Sequence, residues 1–144
     1  MRIFIYILFA IVALLPFSLI EAETVYRVGA DANVARDQAV KNDLYISAGI
    51  FERTTIAGSV TGDVYTFGSA ISITGPVGAD IFAVGGDVVI SATTSDDVRV
   101  IGGDVMIDGF VGGDLFVLGG TVKVTESANI SGDILVFAGD VDVD

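Results

Sequence analysis

Residues 80–90 read DIFAVGGDVVI, residues 97–107 read DVRVIGGDVMI and residues 114–124 read DLFVLGGTVKV. They are one text repeated at 17-residue steps. Looser copies open at Asp43 (NDLYISAG), Asp63 (GDVYTFGS) and Asp133 (GDILVFAG). The six aspartates Asp43, Asp63, Asp80, Asp97, Asp114 and Asp133 are thus separated by 20, 17, 17, 17 and 19 residues. So short a period marks one structural unit copied along an axis. Such a unit cannot bury its own apolar face, so it must stack on its neighbours.

Taking each aspartate as position zero, the next position holds Leu44, Val64, Ile81, Val98, Leu115 and Ile134. Position three holds Ile46, Thr66, Ala83, Val100, Val117 and Val136. Strand alternation puts both sets on one face, and the restriction to small or medium side chains marks it as a cramped interior. A second strand repeats the pattern through Ile71, Val88, Val105, Val122 and Val141, then Ile73, Ile90, Ile107, Val124 and Val143. A third rung precedes the aspartate by three positions: Val60, Val77, Val111 and Ile130, with Thr94 the exception.

The glycines Gly68, Gly85-Gly86, Gly102-Gly103, Gly119-Gly120 and Gly139 read as corners, where positive φ is expected. The two long steps predict insertions near Glu52–Ala57 and Glu126–Asn129. The fold expected is all-β: a single-stranded parallel β-helix of about six coils with a ~17-residue period. It occupies residues 43–144. Residues 23–42 form a lead-in that covers the first coil, with Val34 and Val40 supplying early rungs. Ahead of it, residues 3–20 (IFIYILFAIVALLPFSLI) carry no charge and follow Arg2. Residues 1–22 therefore read as a hydrophobic helix, either a secretory signal peptide cut after Ala22 or an uncleaved membrane anchor. Both place the remainder outside the cytoplasm, secreted or anchored at the cell envelope.

Composition narrows the function. Nineteen acidic residues against seven basic ones leave a formal charge of −12, which repels nucleic acid and anionic lipid headgroups. The chain has no cysteine and no histidine. That removes thiolate nucleophiles, Cys zinc sites, Ser-His-Asp triads and imidazole bases. A β-helix lyase would need many more coils, and a hexapeptide acyltransferase would need a histidine and a strict six-residue period. No catalytic constellation and no cofactor are expected. An ice-binding face would want a threonine ladder, which only Thr74 and Thr125 suggest.

The repeated G-D-[VIL]-x-x-x-G-G-x-V-x-I text resembles the bactofilin, or polymer-forming cytoskeletal, family of bacteria, over about residues 40–144. The resemblance implies a short right-handed β-helix that joins copies of itself into filaments without nucleotide. The hydrophobic N-terminus is a departure from typical members, and makes the likeness closest to exported relatives.

Three features are candidates for function. Each repeat aspartate is expected to bond local backbone N–H groups in an Asx-type turn. The sharper alternative is calcium held between rungs, with Asp87, Asp104 and Asp140 as a second acidic ladder. Positions two and four set Tyr65, Phe82, Phe116 and Leu135 beside Phe67, Val84, Ile101, Leu118 and Phe137. By parity these face outward, an apolar stripe several coils tall suited to self-association. The text stops at Asp144, inside the second strand of a sixth coil. An uncapped coil there is expected to pair end to end with another copy, unless further segments follow. The leading expectation is a non-enzymatic, self-assembling scaffold whose partner is itself, end to end or laterally, with the membrane reached through residues 3–20 if uncleaved. The alternative is an adhesin-like or calcium-dependent surface binding module.

Overall fold

The computed structural model describes residues 24–29, 32–49 and 51–144. The apolar stretch 3–20 and its expected helix lie outside them. The described residues form thirteen strands and no helix. The strands are β1 (Val25–Val28), β2 (Ala39–Val40), β3 (Leu44–Ser47), β4 (Arg53–Ile56), β5 (Ser59–Val60), β6 (Val64–Ile73), β7 (Ile81–Ile90), β8 (Thr93–Thr94), β9 (Val98–Ile107), β10 (Phe110–Val111), β11 (Leu115–Val124), β12 (Asn129–Ile130) and β13 (Ile134–Val143).

Every pairing is parallel, and each strand pairs with its equivalent one coil away. The largest sheet runs β1-β3-β6-β7-β9-β11-β13, with β4 also on β6. Val64 pairs with Ile81, Ile81 with Val98 and Val98 with Leu115, so the column expected inside the molecule is there, and it is fully buried. The short strands and the bridges Val60↔Val77 and Val77↔Thr94 complete a third wall from Val40 to Ile130. The result is a β-solenoid with one continuous aliphatic bore.

Four expectations need correction. The solenoid has about seven turns, not six, because β1 pairs in register with β3, Val25 opposite Leu44. Residues 25–28 thus already form a rung of the solenoid. The repeat text there is disguised by Thr24 at position zero and by Arg27 where later coils place an aliphatic or small residue. Arg27 Nη1 donates to the Asn33 carbonyl and, at 3.3 Å, to Gln38 Oε1. Gln38 Oε1 in turn accepts the Ala35 N–H at 3.0 Å. A guanidinium tied to the far walls thus lies over the bore on the first-coil side. Val34 and Val40 do supply rungs, opposite Ile56 and Val60.

The first insertion lies earlier than expected. Arg53–Ile56 is strand, opposite Ala70–Ile73, so the extra residues fall between Ser47 and Arg53. They split into β3 and β4 what is a single ten-residue strand in later coils. The Glu52 N–H bonds the Gly49 carbonyl at 3.0 Å, and the Gly49 N–H bonds Glu52 Oε2 at 3.1 Å, closing the turn. The second insertion is where the spacing put it, turned by Ala128 N–H on the Thr125 carbonyl at 2.9 Å.

The glycine corners also differ. Only Gly29 has positive φ, 108°, among the described residues. The glycine pairs sit inside the long strands, where the register skips Gly86, Gly103 and Gly120 and the strand bends. Glycine is needed for closeness rather than for handedness. A Cβ on Gly86 would stand 2.8 Å from the Ser69 oxygen of the previous coil. The tightest sites are at the bends leading into the third wall: a Cβ on Gly75 would meet the Gly58 oxygen at 2.0 Å, and one on Gly109 the Ala92 oxygen at 2.0 Å. The fourth correction concerns the aspartates, and it defines the site.

Candidate functional site: the aspartate edge and the aromatic face

Five of the six repeat aspartates, Asp43 to Asp114, bind the next coil rather than their own turn. Asp43 Oδ1 accepts the Asp63 N–H at 3.0 Å, and Asp63 Oδ1 accepts the Asp80 N–H at 3.0 Å. The series continues from Asp80 to Asp97 at 3.0 Å, Asp97 to Asp114 at 2.8 Å and Asp114 to Asp133 at 2.8 Å. The same residues receive main-chain bonds from the coil before: the Val64 N–H reaches the Asp80 carbonyl at 2.8 Å, and Ile81 reaches Asp97 at 2.9 Å. Each corner is therefore pinned to its neighbours through both side chain and backbone. An N–H at the bend that misses the regular ladder gains a charged acceptor, among the stronger kinds of hydrogen bond. Register alone put the aspartates side by side; which N–H each one takes is decided by the bend.

The ladder sets like charges about one rung apart. Arg99 offsets part of this. It stands in the column of Tyr65, Phe82 and Phe116 and bonds Asp97 Oδ2 at 2.6 Å and Asp80 Oδ2 at 3.3 Å. Among the described residues, one group of three carboxylates has oxygens within 4.8 Å of one another: Asp80, Asp96 and Asp97. Arg99 already pairs with two of them. The second ladder is less complete. Asp87 and Asp104 are register neighbours, Thr121 separates Asp104 from Asp140, and all three aspartates are exposed with no third carboxylate joining them.

The apolar stripe faces outward, as parity required. Tyr65, Phe82, Val84 and Phe116 are half-buried, whereas Phe67, Ile101, Leu118, Leu135 and Phe137 are exposed. The rings interlock. Phe67 meets Phe82 edge-on at 6.0 Å, and Phe116 meets Phe137 at 6.2 Å. The stripe also begins earlier than expected. Tyr26 stacks on Tyr45 at 5.0 Å and 19°, and Tyr45 on Tyr65 at 4.7 Å and 7°. The 19-residue offset from Val25 to Leu44 is the signal that would have revealed Tyr26. Beside this stack the Tyr65 O–H donates to Asp63 Oδ2 at 3.2 Å. Partial removal from solvent, then the Asp63 charge and that bond, hold the Tyr65 phenol above its ordinary 10.0. Tyr45 is raised likewise, by desolvation first and then by Asp43.

On the adjoining wall Lys123 Nζ lies 2.9 Å from both Asp142 and Asp144, whose hydrogen bonds push its pKa up. A recess of about 310 Å³ opens around Asp97, Arg99, Asp114, Phe116, Asp133 and Leu135. It lies on the stripe itself, at the step where arginine replaces a ring. No family model, no curated protein and no solved structure matches this chain.

Proposed function

We propose that the chain is a non-enzymatic scaffold that assembles with copies of itself at the cell envelope, as the bactofilin resemblance implies, with the right-handed coil usual for parallel crossovers. The observation that carries this reading is the outward stripe. Nine apolar or aromatic side chains, Tyr65, Phe67, Phe82, Val84, Ile101, Phe116, Leu118, Leu135 and Phe137, share one wall of a rigid stack. An apolar patch continuous over that many rungs is uncommon on a surface that stays in water. Its acidic margins disfavour nucleic acid and anionic lipid and leave another apolar face as the natural occupant. Export would run through the uncharged apolar stretch at residues 3–20. The uncleaved segment would add a membrane attachment.

The test is the assembly state of the parent and of Phe82→Glu/Phe116→Glu, by sedimentation velocity and electron microscopy. The parent is expected to form oligomers or filaments. The double variant should stay monomeric with an unchanged circular dichroism spectrum. A parent that remains strictly monomeric at high concentration ends the proposal.

A further inference from the structure

Tyr26, Tyr45 and Tyr65 belong to three consecutive coils, and their rings stack at 5.0 and 4.7 Å. The Tyr45–Tyr65 spacing matches the rung spacing of a sheet and the planes differ by only 7°, so the two rings are related by little more than a translation. Each ring carbon therefore lies about one rung from its counterpart, the carbons ortho to the hydroxyls included. Because the faces cover one another, the stack is no platform for a sugar or a base; what it presents is ring edges and phenols. Tyr26, the outermost ring of the stack among the described residues, is 71% exposed. Tyr65 already directs its O–H at the Asp63 carboxylate, 3.2 Å away. A phenol gives up an electron more readily when its proton has a base to go to. The chain also lacks cysteine, histidine and tryptophan, which compete for oxidising equivalents; Met106 is exposed, but its oxidation to sulfoxide joins no rings.

We propose that the Tyr26–Tyr45–Tyr65 stack is a site of oxidative cross-linking, at which a one-electron oxidant of the haem-peroxidase class, driven by hydrogen peroxide, joins rings of neighbouring coils as dityrosine. Two phenols each lose one electron to the oxidant and one proton, which at Tyr65 passes first to Asp63. The two phenoxyl radicals pair their electrons in a new bond between ortho carbons. Each of those carbons then releases its hydrogen as a proton while each phenolic oxygen regains one. Two hydrogens leave in all, and one peroxide is reduced to two waters. Tyr45 belongs to both stacked pairs, so it is the residue on which cross-linking turns. The product staples the first coils of the solenoid together covalently.

The experiment treats the full chain, in a neutral detergent, with a haem peroxidase and hydrogen peroxide. Dityrosine fluorescence is recorded, and linked peptides are mapped by mass spectrometry. The expected products are intrachain Tyr45–Tyr65 and Tyr26–Tyr45 links, each lighter by two hydrogens, formed in far higher yield by the native chain than by the urea-unfolded one. Tyr45→Phe keeps the ring stack and the melting temperature but has no phenol to couple, and it should fall to the unfolded yield. Equal yields from native and unfolded chain, undiminished cross-linking in Tyr45→Phe, or links confined to Tyr6 would each overturn the proposal.

Discussion

Replacing Asp63 by alanine removes the acceptor for the Asp80 N–H at 3.0 Å and the partner of the Tyr65 hydroxyl at 3.2 Å. A hydrogen bond to a charged group contributes about 1.5–3 kcal/mol, and an orphaned buried donor costs a similar amount. Asp63 and Asp80 are half-buried, so water recovers part of this, leaving a loss of about 1–2 kcal/mol. For roughly 120 ordered residues that lowers Tm by about 4–8 °C. Asparagine separates two effects that alanine merges. It keeps an oxygen for the Asp80 N–H, loses the charge assistance, and removes one of the like charges about 5 Å apart along the edge. Each such neighbour costs about 1 kcal/mol in water-like surroundings and less in salt. Asp63→Asn should therefore lie within about 1 kcal/mol of the parent, and closer to it or above it at low ionic strength than at high. The direct readout is amide hydrogen exchange. The Asp80 N–H should exchange faster in Asp63→Ala and remain protected in Asp63→Asn, while the Asp114 N–H, bonded to Asp97, stays protected in both. If alanine and asparagine destabilise equally, or the Asp80 N–H is indifferent to both, the side-chain ladder does not hold the coils.

Further outcomes follow from the same geometry. Thr94 is fully buried between Val77 and Val111, and its hydroxyl has no partner; Thr94→Val should raise stability by about 1–2 kcal/mol in a denaturant melt. Gly109→Ala would set a Cβ 2.0 Å from the Ala92 oxygen and should lower stability by about 1–3 kcal/mol or more, whereas alanine at the open position Gly29 meets no atom and is strained only by its φ of 108°. The Tyr45 and Tyr65 phenols, raised above 10.0, hold their protons longer in the folded chain than in the unfolded one. Stability from this source is complete below pH 10 and declines as pH rises through the raised values, and an ultraviolet titration should show Asp63→Asn bringing Tyr65 back down. With Arg99 already on Asp80 and Asp97, neither calcium nor EDTA should move the melting temperature.

Much of this was legible because a narrow bore leaves its mark on every copy. Val64, Ile81, Val98 and Leu115 recur at one position because a polar or bulky side chain there would have no room. The outward stripe was equally legible, since parity is settled once the interior is known. The first coil was hidden for the converse reason. Its Thr24 and Arg27 are only half-buried, so they could replace the residues that define the repeat. The glycines misled because a turn and a close approach select the same residue. Only coordinates separate Gly29, which is left-handed, from Gly75, which is merely crowded. The aspartates were recognised as a ladder, but an Asx turn and a bond to the next coil call for the same side chain.

Every ladder in the solenoid joins residues 17 to 22 apart in the chain. The relative separation of partners is thus about 0.12–0.15 of the length, the range of mixed α/β domains and below that of sandwiches and barrels. No winding waits for a distant segment; each needs only the one laid down before it, and offers a finished template to the next. Such a chain can zip up winding by winding from its N-terminal side while the remainder is still being delivered.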